Sequence, residues 1–328
     1  MKIIIVNNTI IPAIAYGGTE RVIWGLGKAL HQLGHDVHYL VKKGSTCEFA
    51  KIIEIDENLS IAEQIKESFD VIHANYDDGS LEQIGIPYII TFHGNTNETF
   101  DFNKNMVFIS KNHANRYSSD VFVYNGLDWD DYPLPALNKN RIYYHFLGKA
   151  AWRLKNVKGA IKTILKLKNE KLYVLGGIRF NISMGIRFTF SPRIKFFKSV
   201  NNKEKAQILS QSKGLIFPVR WHEPFGLAII ESLYFGCPVF GTKHGSLPEL
   251  VSEHVGYLSN DGNELVLAMQ TKKFDPFVCH HYAKENFNAN RMAKDYLKLY
   301  EKVINGEQLN KDAPRLKSIQ LEKFLEWS

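Results

Sequence analysis

Short β-rich apolar runs alternate with helical stretches along this chain, and the alternation runs twice. In the first half, Lys2–Val6 is a continuous apolar strand. Gly17–Leu33 carries apolar residues at Val22, Ile23, Leu26, Leu30 and Leu33, a helical spacing. His35–Val41 and Lys51–Ile55 read as strands and Ile61–Phe69 as a helix. Val71–Ala74, Tyr88–Phe92 and Met106–Ile109 read as further strands. Asn125-Gly126 with Pro133 and Pro135 reads as a linker, and the pattern then restarts. Arg141–Leu147, Lys171–Leu175, Ile194–Val200, Gly214–Val219 and Pro238–Gly241 are predicted strands. Asn156–Leu167, Lys203–Ser212, Pro224–Tyr234 and Arg291–Val303 are predicted helices, and Ile178–Arg193 is a loop or irregular hairpin. Such a chain builds βαβ units, so the expected class is α/β: two Rossmann-like parallel-sheet domains facing across a cleft. The predicted boundaries are residues 1–140, residues 141–305, and a tail over 306–328. Ligands of such sheets bind at the carboxyl ends of the strands.

Composition narrows the function. At roughly 100–200 residues per domain, 328 residues fit two domains. With 45% hydrophobic and 23% charged residues, the chain is neither disordered, collagenous nor a coiled coil. Cys47, Cys237 and Cys279 are unclustered, which excludes a disulfide framework or zinc ribbon and fits a reducing cytoplasm. Asn7 and Asn8 interrupt the apolar start too early for a signal peptide, and no apolar run approaches the roughly 20 residues of a membrane span. The net charge of +7 hides an asymmetry: residues 1–145 carry 12 basic and 18 acidic side chains, residues 146–328 carry 29 and 16. A strongly basic half points to an anionic ligand, the plainer alternative being lysines on solvated helix faces.

The stretch from Phe217 to Leu233 carries the chemistry. Glu223 precedes Pro224, which keeps it out of helical conformation and opens a helix at Pro's favoured first position. The backbone N–H groups of Phe225, Gly226 and Leu227 would then point at an anion, with Gly226 leaving room for its approach. Glu231 lies about two turns further along a helix that is otherwise almost wholly apolar. A lone carboxylate there costs several kcal/mol unless satisfied. Hydroxyls of a bound sugar or ribose would satisfy it; so would a buried ion pair.

Glu223 and Glu231, eight apart with Pro-Phe-Gly-Leu after the first, resemble the E-x7-E signature of the retaining family-four glycosyltransferases of the GT-B fold. Tyr16-Gly-Gly-Thr-Glu-Arg-Val, Thr91-Phe-His-Gly, Tyr124-Asn-Gly-Leu-Asp, Gly236-Cys-Pro-Val and Gly245-Ser-Leu-Pro-Glu resemble further family stretches in the same order, over roughly residues 1–305. The resemblance implies that Glu231 holds the nucleotide's ribose and Glu223 contacts the transferred sugar. It implies that Phe225, Gly226 and Leu227 face the sugar diphosphate, with His93 beside the reacting centre. Gly17 and Gly18 would let the N-terminal loop approach the diphosphate, and Gly177 would lie in the donor loop. Where the family places an Arg and, about six residues on, a Lys, this chain has Lys149 and Lys155, with Arg153 between. Either Lys149 or Arg153 would take the arginine's place.

The implied activity is transfer, with retention, of a hexose from a UDP- or GDP-linked sugar to a glycan or lipid-linked acceptor in polysaccharide or glycoconjugate biosynthesis. The donor would sit in the C-terminal domain and the acceptor in the N-terminal one. A sugar-nucleotide epimerase and a non-catalytic nucleotide- or glycan-binding module are the alternatives. A nicotinamide enzyme is disfavoured, since no G-x-G-x-x-G follows Val6. Asp128-Trp129-Asp130 spells D-x-D, but turn chemistry accounts for it, so no metal or other cofactor is expected. No nucleic-acid partner is expected. The tail from Arg315 to Trp327 is weakly amphipathic and is expected to pack on the first domain as a helix, with peripheral contact at the inner membrane face the lesser reading.

Overall fold

The structure, a computed structural model, describes residues 1–13, 17–181, 187–198 and 200–328. The chain divides into two compact units, Met1–Trp129 with Phe287–Gln320, and Asp130–Asn286 with Leu321–Ser328.

The first unit opens with β1 (Lys2–Asn7), α1 (Gly18–Gln32), β2 (Asp36–Val41), β3 (Lys51–Glu54) and α2 (Ile61–Gln64). It continues through β4 (Val71–Ala74), β5 (Tyr88–Phe92), β6 (Met106–Phe108) and α3 (Lys111–Arg116). The strands form one parallel sheet in the order β3-β2-β1-β4-β5-β6. Both faces of the central strands are covered, which is why Ile3, Ile4, Ile5 and Val6 are all fully buried and read as a continuous apolar run. The predicted helix over 61–69 is a single turn: Ser60 and Glu63 form a capping box, but Ile65 is already extended. Ile65 and Phe69 instead enter the core beneath the sheet, so burial rather than periodicity accounts for their spacing.

The second unit runs β7 (Tyr143–Leu147), α4 (Val157–Lys166), β8 (Leu172–Leu175), β9 (Phe180–Asn181), β10 (Arg187–Phe188), β11 (Ile194–Phe197), α5 (Asn202–Leu209) and β12 (Ser212–Phe217). Then come α6 (Leu227–Tyr234), β13 (Val239–Gly241), α7 (Leu247–Leu250), β14 (Gly256–Leu258), α8 (Gly262–Thr271) and α9 (Pro276–Asn286). Its sheet, order β11-β8-β7-β12-β13-β14, is again parallel. In each sheet the strand order reverses beside the first strand, between β1 and β4 and between β7 and β12. The crevice at the carboxyl ends of such a pair is where ligands of open α/β sheets bind.

The chain then returns to the first unit. The helix α10 (Ala289–Ile304), which the sequence places with the second half, packs on α1, β4 and β5 instead. Its buried residues include Met292, Tyr296 and Tyr300. The Tyr300 hydroxyl meets His73 Nδ1 at 2.7 Å, and the Tyr296 hydroxyl meets Thr91 Oγ1 at 3.0 Å. Gly126 lets the chain cross there: a Cβ on it would stand 2.2 Å from the Asn288 carbonyl oxygen. Asn125-Gly126 is thus a close backbone crossing inside the first unit, and the boundary between the units, Trp129/Asp130, falls further along the same turn-rich stretch.

The tail differs from the expected helix. Residues 305–328 contain no helix. Residues 310–317 lie along the first unit, with Phe102 N–H donating to Pro314 O at 2.7 Å and Leu316 buried. Residues 321–328 belong to the second unit, where Leu325 N–H donates to Arg220 O at 2.9 Å, Arg220 Nε donates to Leu325 O at 2.8 Å, and Trp327 packs on the core. An amphipathic pattern marks which residues bury, not that the segment coils. Among the described residues no helix is long and apolar enough to cross a membrane.

Candidate functional site

In the second unit the loops at the carboxyl ends of the strands are tied to one another. After β7, Gly148 and Lys149 pass so close to the loop after β8 that a Cβ on Gly176 would stand 2.4 Å from Gly148 O. A Cβ on Gly177 would stand 2.4 Å from that of Ala150. Gly176 has φ +96, so the close approach and the backbone conformation both require glycine. The loop after β12 is anchored by Arg220 N–H to Leu154 O (2.7 Å) and by Asn156 Nδ2 to Pro218 O (2.9 Å). Thr242 Oγ1, after β13, donates to Val219 O at 2.8 Å.

Glu223 and Lys155 meet at this edge. Lys155 Nζ lies 2.6 Å from Glu223 Oε2, and the Trp221 indole N–H donates to the same oxygen at 2.8 Å. The Glu223 side chain is buried and that of Lys155 is partly so, at 6% and 14% exposure. The Lys155 ammonium also lies 5.6, 5.3 and 5.0 Å from the ring centres of Trp152, Phe217 and Trp221. The Trp152 and Trp221 rings touch, with centroids 4.8 Å apart. A cation so enclosed is pre-oriented, and cation–π attraction adds to the ion pair. Gly245 packs against the Glu223 backbone: it has φ +65, and a Cβ on it would stand 2.2 Å from Glu223 N. Ser246 N–H donates to Glu223 O at 2.9 Å.

The helix after Glu223 begins later than the sequence suggests. Gly226 takes φ +92 as the N-cap of α6, so the helix starts at Leu227 and not at Pro224. The left-handed residue interrupts helical geometry that proline alone permits. Phe225 is therefore outside the helix, its side chain buried and its carbonyl held by Ser246 Oγ at 2.6 Å. The first-turn amide belongs to Leu227, with no side-chain cap on the helix.

Glu231 has protein partners. Its Oε1 is paired with Lys205 of α5, and it accepts the Tyr132 hydroxyl at 2.8 Å. Lys205 is itself buried and lies 5.2 Å from the Tyr132 ring centre. The buried carboxylate is thus satisfied by an ion pair, the second of the two arrangements open from sequence. Its burial by itself does not call for a ligand. The neighbouring Ser232 Oγ binds His145 Nε2 at 2.8 Å, and His145 Nδ1 binds Ser212 Oγ at 2.6 Å, which ties α6 to β7 and β12. Burial lowers the His145 pKa to about 3, so the ring is neutral.

Lys149 and Arg153 separate. Lys149 is exposed, directly after β7. The Arg153 guanidinium stacks on Phe324, 4.8 Å from its centre, and Arg220 stacks on the same ring at 5.2 Å. Arg153 is engaged with the tail of its own unit and is not among the contacts that hold Lys155 and Glu223.

The first unit has its own edge group. Asn75, at the end of β4, donates Nδ2 to Val6 O at 3.0 Å and presents Oδ1 to His93 Nε2 at 2.8 Å. With the amide oriented in this way, the His93 proton is assigned to Nε2. Burial lowers the His93 pKa to about 4, so it acts as a neutral ring. Gly17 caps α1 and Gly18 begins it; Tyr16 lies outside the described residues. Asp128 of the D-x-D pair forms an ion pair with Lys28 at 2.5 Å, and Trp129 is buried.

Residues 133–274 match the profile of the family described as Glycosyl transferases group 1. The matched residues lie wholly within the second unit. Among curated proteins, an "Uncharacterized 41.2 kDa protein in cps region" of Klebsiella pneumoniae is 29% identical over 175 residues, 50% of this chain and 48% of that protein. The match thus spans about half the length of that relative. Solved structures are similar along nearly the whole chain. AviGT4, a glycosyltransferase involved in avilamycin A biosynthesis, matches with TM-score 0.70 and 16% identity, over 93% of this chain and 98% of its own. The sucrose-phosphate synthase of Thermosynechococcus elongatus gives 0.72 and 17%, over 93% and 100%. Anabaena HepE, crystallised with UDP-glucose, gives 0.66 and 16%, over 92% and 99%. At such identities the likeness establishes the fold: two α/β units of the GT-B class.

Within the second unit, Glu223 and Lys155 were legible in the sequence, and Trp221, Trp152, Lys205 and Tyr132 were not. Trp221 stands two residues before Glu223, near enough to suspect. Lys205 is the middle of a polar helix, and nothing local signals that it turns inward to Glu231.

Proposed function

We propose that this chain is a retaining glycosyltransferase that moves a hexose from a UDP- or GDP-linked sugar to a glycan or lipid-linked acceptor, in polysaccharide or glycoconjugate biosynthesis at the cytoplasmic side of a membrane. The observation that carries the reading is the Lys155–Glu223 pair, held by Trp221 at the strand-order reversal of the matched domain. The UDP-glucose complex of the structurally similar Anabaena protein and the cps-region setting of the Klebsiella relative support it.

In this reading the donor binds the second unit and the acceptor the first. Lys155 and Lys149 stabilise the negative charge that builds on the departing diphosphate, so no metal is required. Glu223 accepts hydroxyl hydrogen bonds from the hexose while remaining paired with Lys155. The Gly226 and Leu227 amides face the sugar diphosphate, and Glu231 holds ribose hydroxyls beside its Lys205 partner. Neutral His93 offers the sugar a hydrogen bond without a charge. The leaving diphosphate assists deprotonation of the acceptor hydroxyl on the same face of the ring, which gives retention. Binding and orientation then supply most of the rate.

The test is a thermal-shift screen with UDP, GDP and ADP sugars, followed by product analysis of a donor-only incubation and of one with acceptor. A bound sugar nucleotide raises apparent stability in proportion to the logarithm of its saturation. A glycosylated acceptor with retained anomeric configuration supports the proposal. Conversion of the donor to an epimer without acceptor, or no stabilisation by any sugar nucleotide, refutes it.

A further inference from the structure

Between the parallel neighbours β8 and β11 the chain forms the antiparallel pair β9 and β10, where this kind of fold ordinarily places a crossover helix. The hairpin is inside out. Asn181 and Thr189 are buried, at 7% and 6% exposure. Ile178, Phe180, Phe188 and Phe190 stand at 44%, 52%, 50% and 82%. Phe180 and Phe188 are cross-strand partners, so they share a face. Their rings lie 5.6 Å apart, and Phe190 packs on Phe188 at 4.2 Å. The polar side is not loosely placed: Arg179 donates to Thr189 O at 2.6 Å and to Ile194 O at 2.7 Å, fastening the hairpin to the start of β11. An outward aromatic cluster held this firmly is a surface to be covered.

The charge around it says by what. From Lys171 to Lys203 the sequence has seven basic residues and no acidic one. Lys171, Lys195, Lys198 and Lys203 are exposed. Exposed aromatic side chains in a stretch whose charged residues are all basic match a surface that is apolar inside and negatively charged outside. We infer that the outward face of β9 and β10 docks this protein on an anionic phospholipid bilayer, with Phe180, Phe188 and Phe190 entering the interface and the nearby lysines on the headgroups. The inference stands apart from the catalytic reading, since it uses none of the residues assigned to transfer.

The test is cosedimentation of the full chain with vesicles of phosphatidylcholine alone and with about one-third phosphatidylglycerol. The wild type is expected to bind the anionic vesicles at least tenfold more tightly, and less so as salt rises. Phe188→Ser with Phe190→Ser should abolish binding, and Phe188→Leu with Phe190→Leu should retain it. Lys195→Gln with Lys198→Gln should remove most of the preference for anionic lipid. Far-UV circular dichroism and urea midpoints confirm that each variant is folded. Failure of the wild type to bind, equal binding to both vesicles, or binding unaffected by the serine pair overturns the inference. So does a concentration-dependent dimer in sedimentation velocity that the serine pair dissolves while vesicle binding is absent, for then the face is covered by a second copy.

Discussion

Replacing Lys205 with Met removes the cation from a buried carboxylate while keeping most of the side-chain volume. The side chains of Lys205 and Glu231 are 5% and 9% exposed, so solvent cannot compensate, and Tyr132 alone remains among the two partners described. Breaking such a pair from one side costs about 3–5 kcal/mol. Removing both charges, as Lys205→Met with Glu231→Leu, leaves an apolar contact and is expected to cost far less. The two positions should therefore show a coupling of about 3 kcal/mol in a double-mutant cycle. The single variant should also acquire a pH dependence. Glu231, without its cation, takes up a proton more readily in the folded state than in the unfolded one, so stability falls as pH rises above the ordinary carboxylate range. Urea unfolding of the four proteins, read by hydrogen exchange in peptides covering α5 and α6, measures both effects. A single-variant loss under about 1 kcal/mol, or additivity of the two substitutions, would refute the reasoning that the ion pair satisfies Glu231.

Three further outcomes are expected. Gly245→Ala forces a Cβ to within 2.2 Å of Glu223 N at φ +65, so it should cost about 2 kcal/mol or more and displace Glu223; a melting point and transfer rate like the wild type would contradict this. Trp221→Phe removes the indole N–H that holds Glu223 Oε2, and should lower the turnover of sugar transfer more than donor affinity, by about tenfold; steady-state kinetics with a sugar-nucleotide donor decides it. Acid should destabilise the protein early: burial holds His73, His113 and His145 near pKa 3, so each stays neutral when folded and protonates when unfolded. Their stability contribution is complete above about pH 6.5 and is lost as pH falls, by about 2 kcal/mol each at pH 5. Urea midpoints at pH 7.5 and 5 measure the loss, and equal midpoints would contradict the neutral assignment.

The strand–helix alternation was legible because both sheets are parallel and covered, so their central strands are unbroken apolar runs such as Ile3–Val6. Glycine-bearing motifs were legible for a steric reason. Gly245 and Gly177 stand where a Cβ would collide with Glu223 and Ala150, so those positions mark the loops that converge on the site. Long-range pairings were not legible. Sequence spacing shows that α10 has one apolar face, but not that Tyr296 and Tyr300 carry it to Thr91 and His73. Sequence likewise presents Glu231 as alone among apolar residues, because Lys205 and Tyr132 lie 26 and 99 positions away. The later start of α6 depends on the sign of φ at Gly226, which its sequence allows but does not require.

The proposed function requires a sugar nucleotide at the edge of the second unit where Lys155 meets Glu223. Hydrogen exchange by mass spectrometry, with and without saturating donor, tests it most directly. Slowed exchange is expected in the loops at 148–156 and 218–227 and at Gly176 and Gly177. Slowing confined to other segments at proven saturation would contradict it.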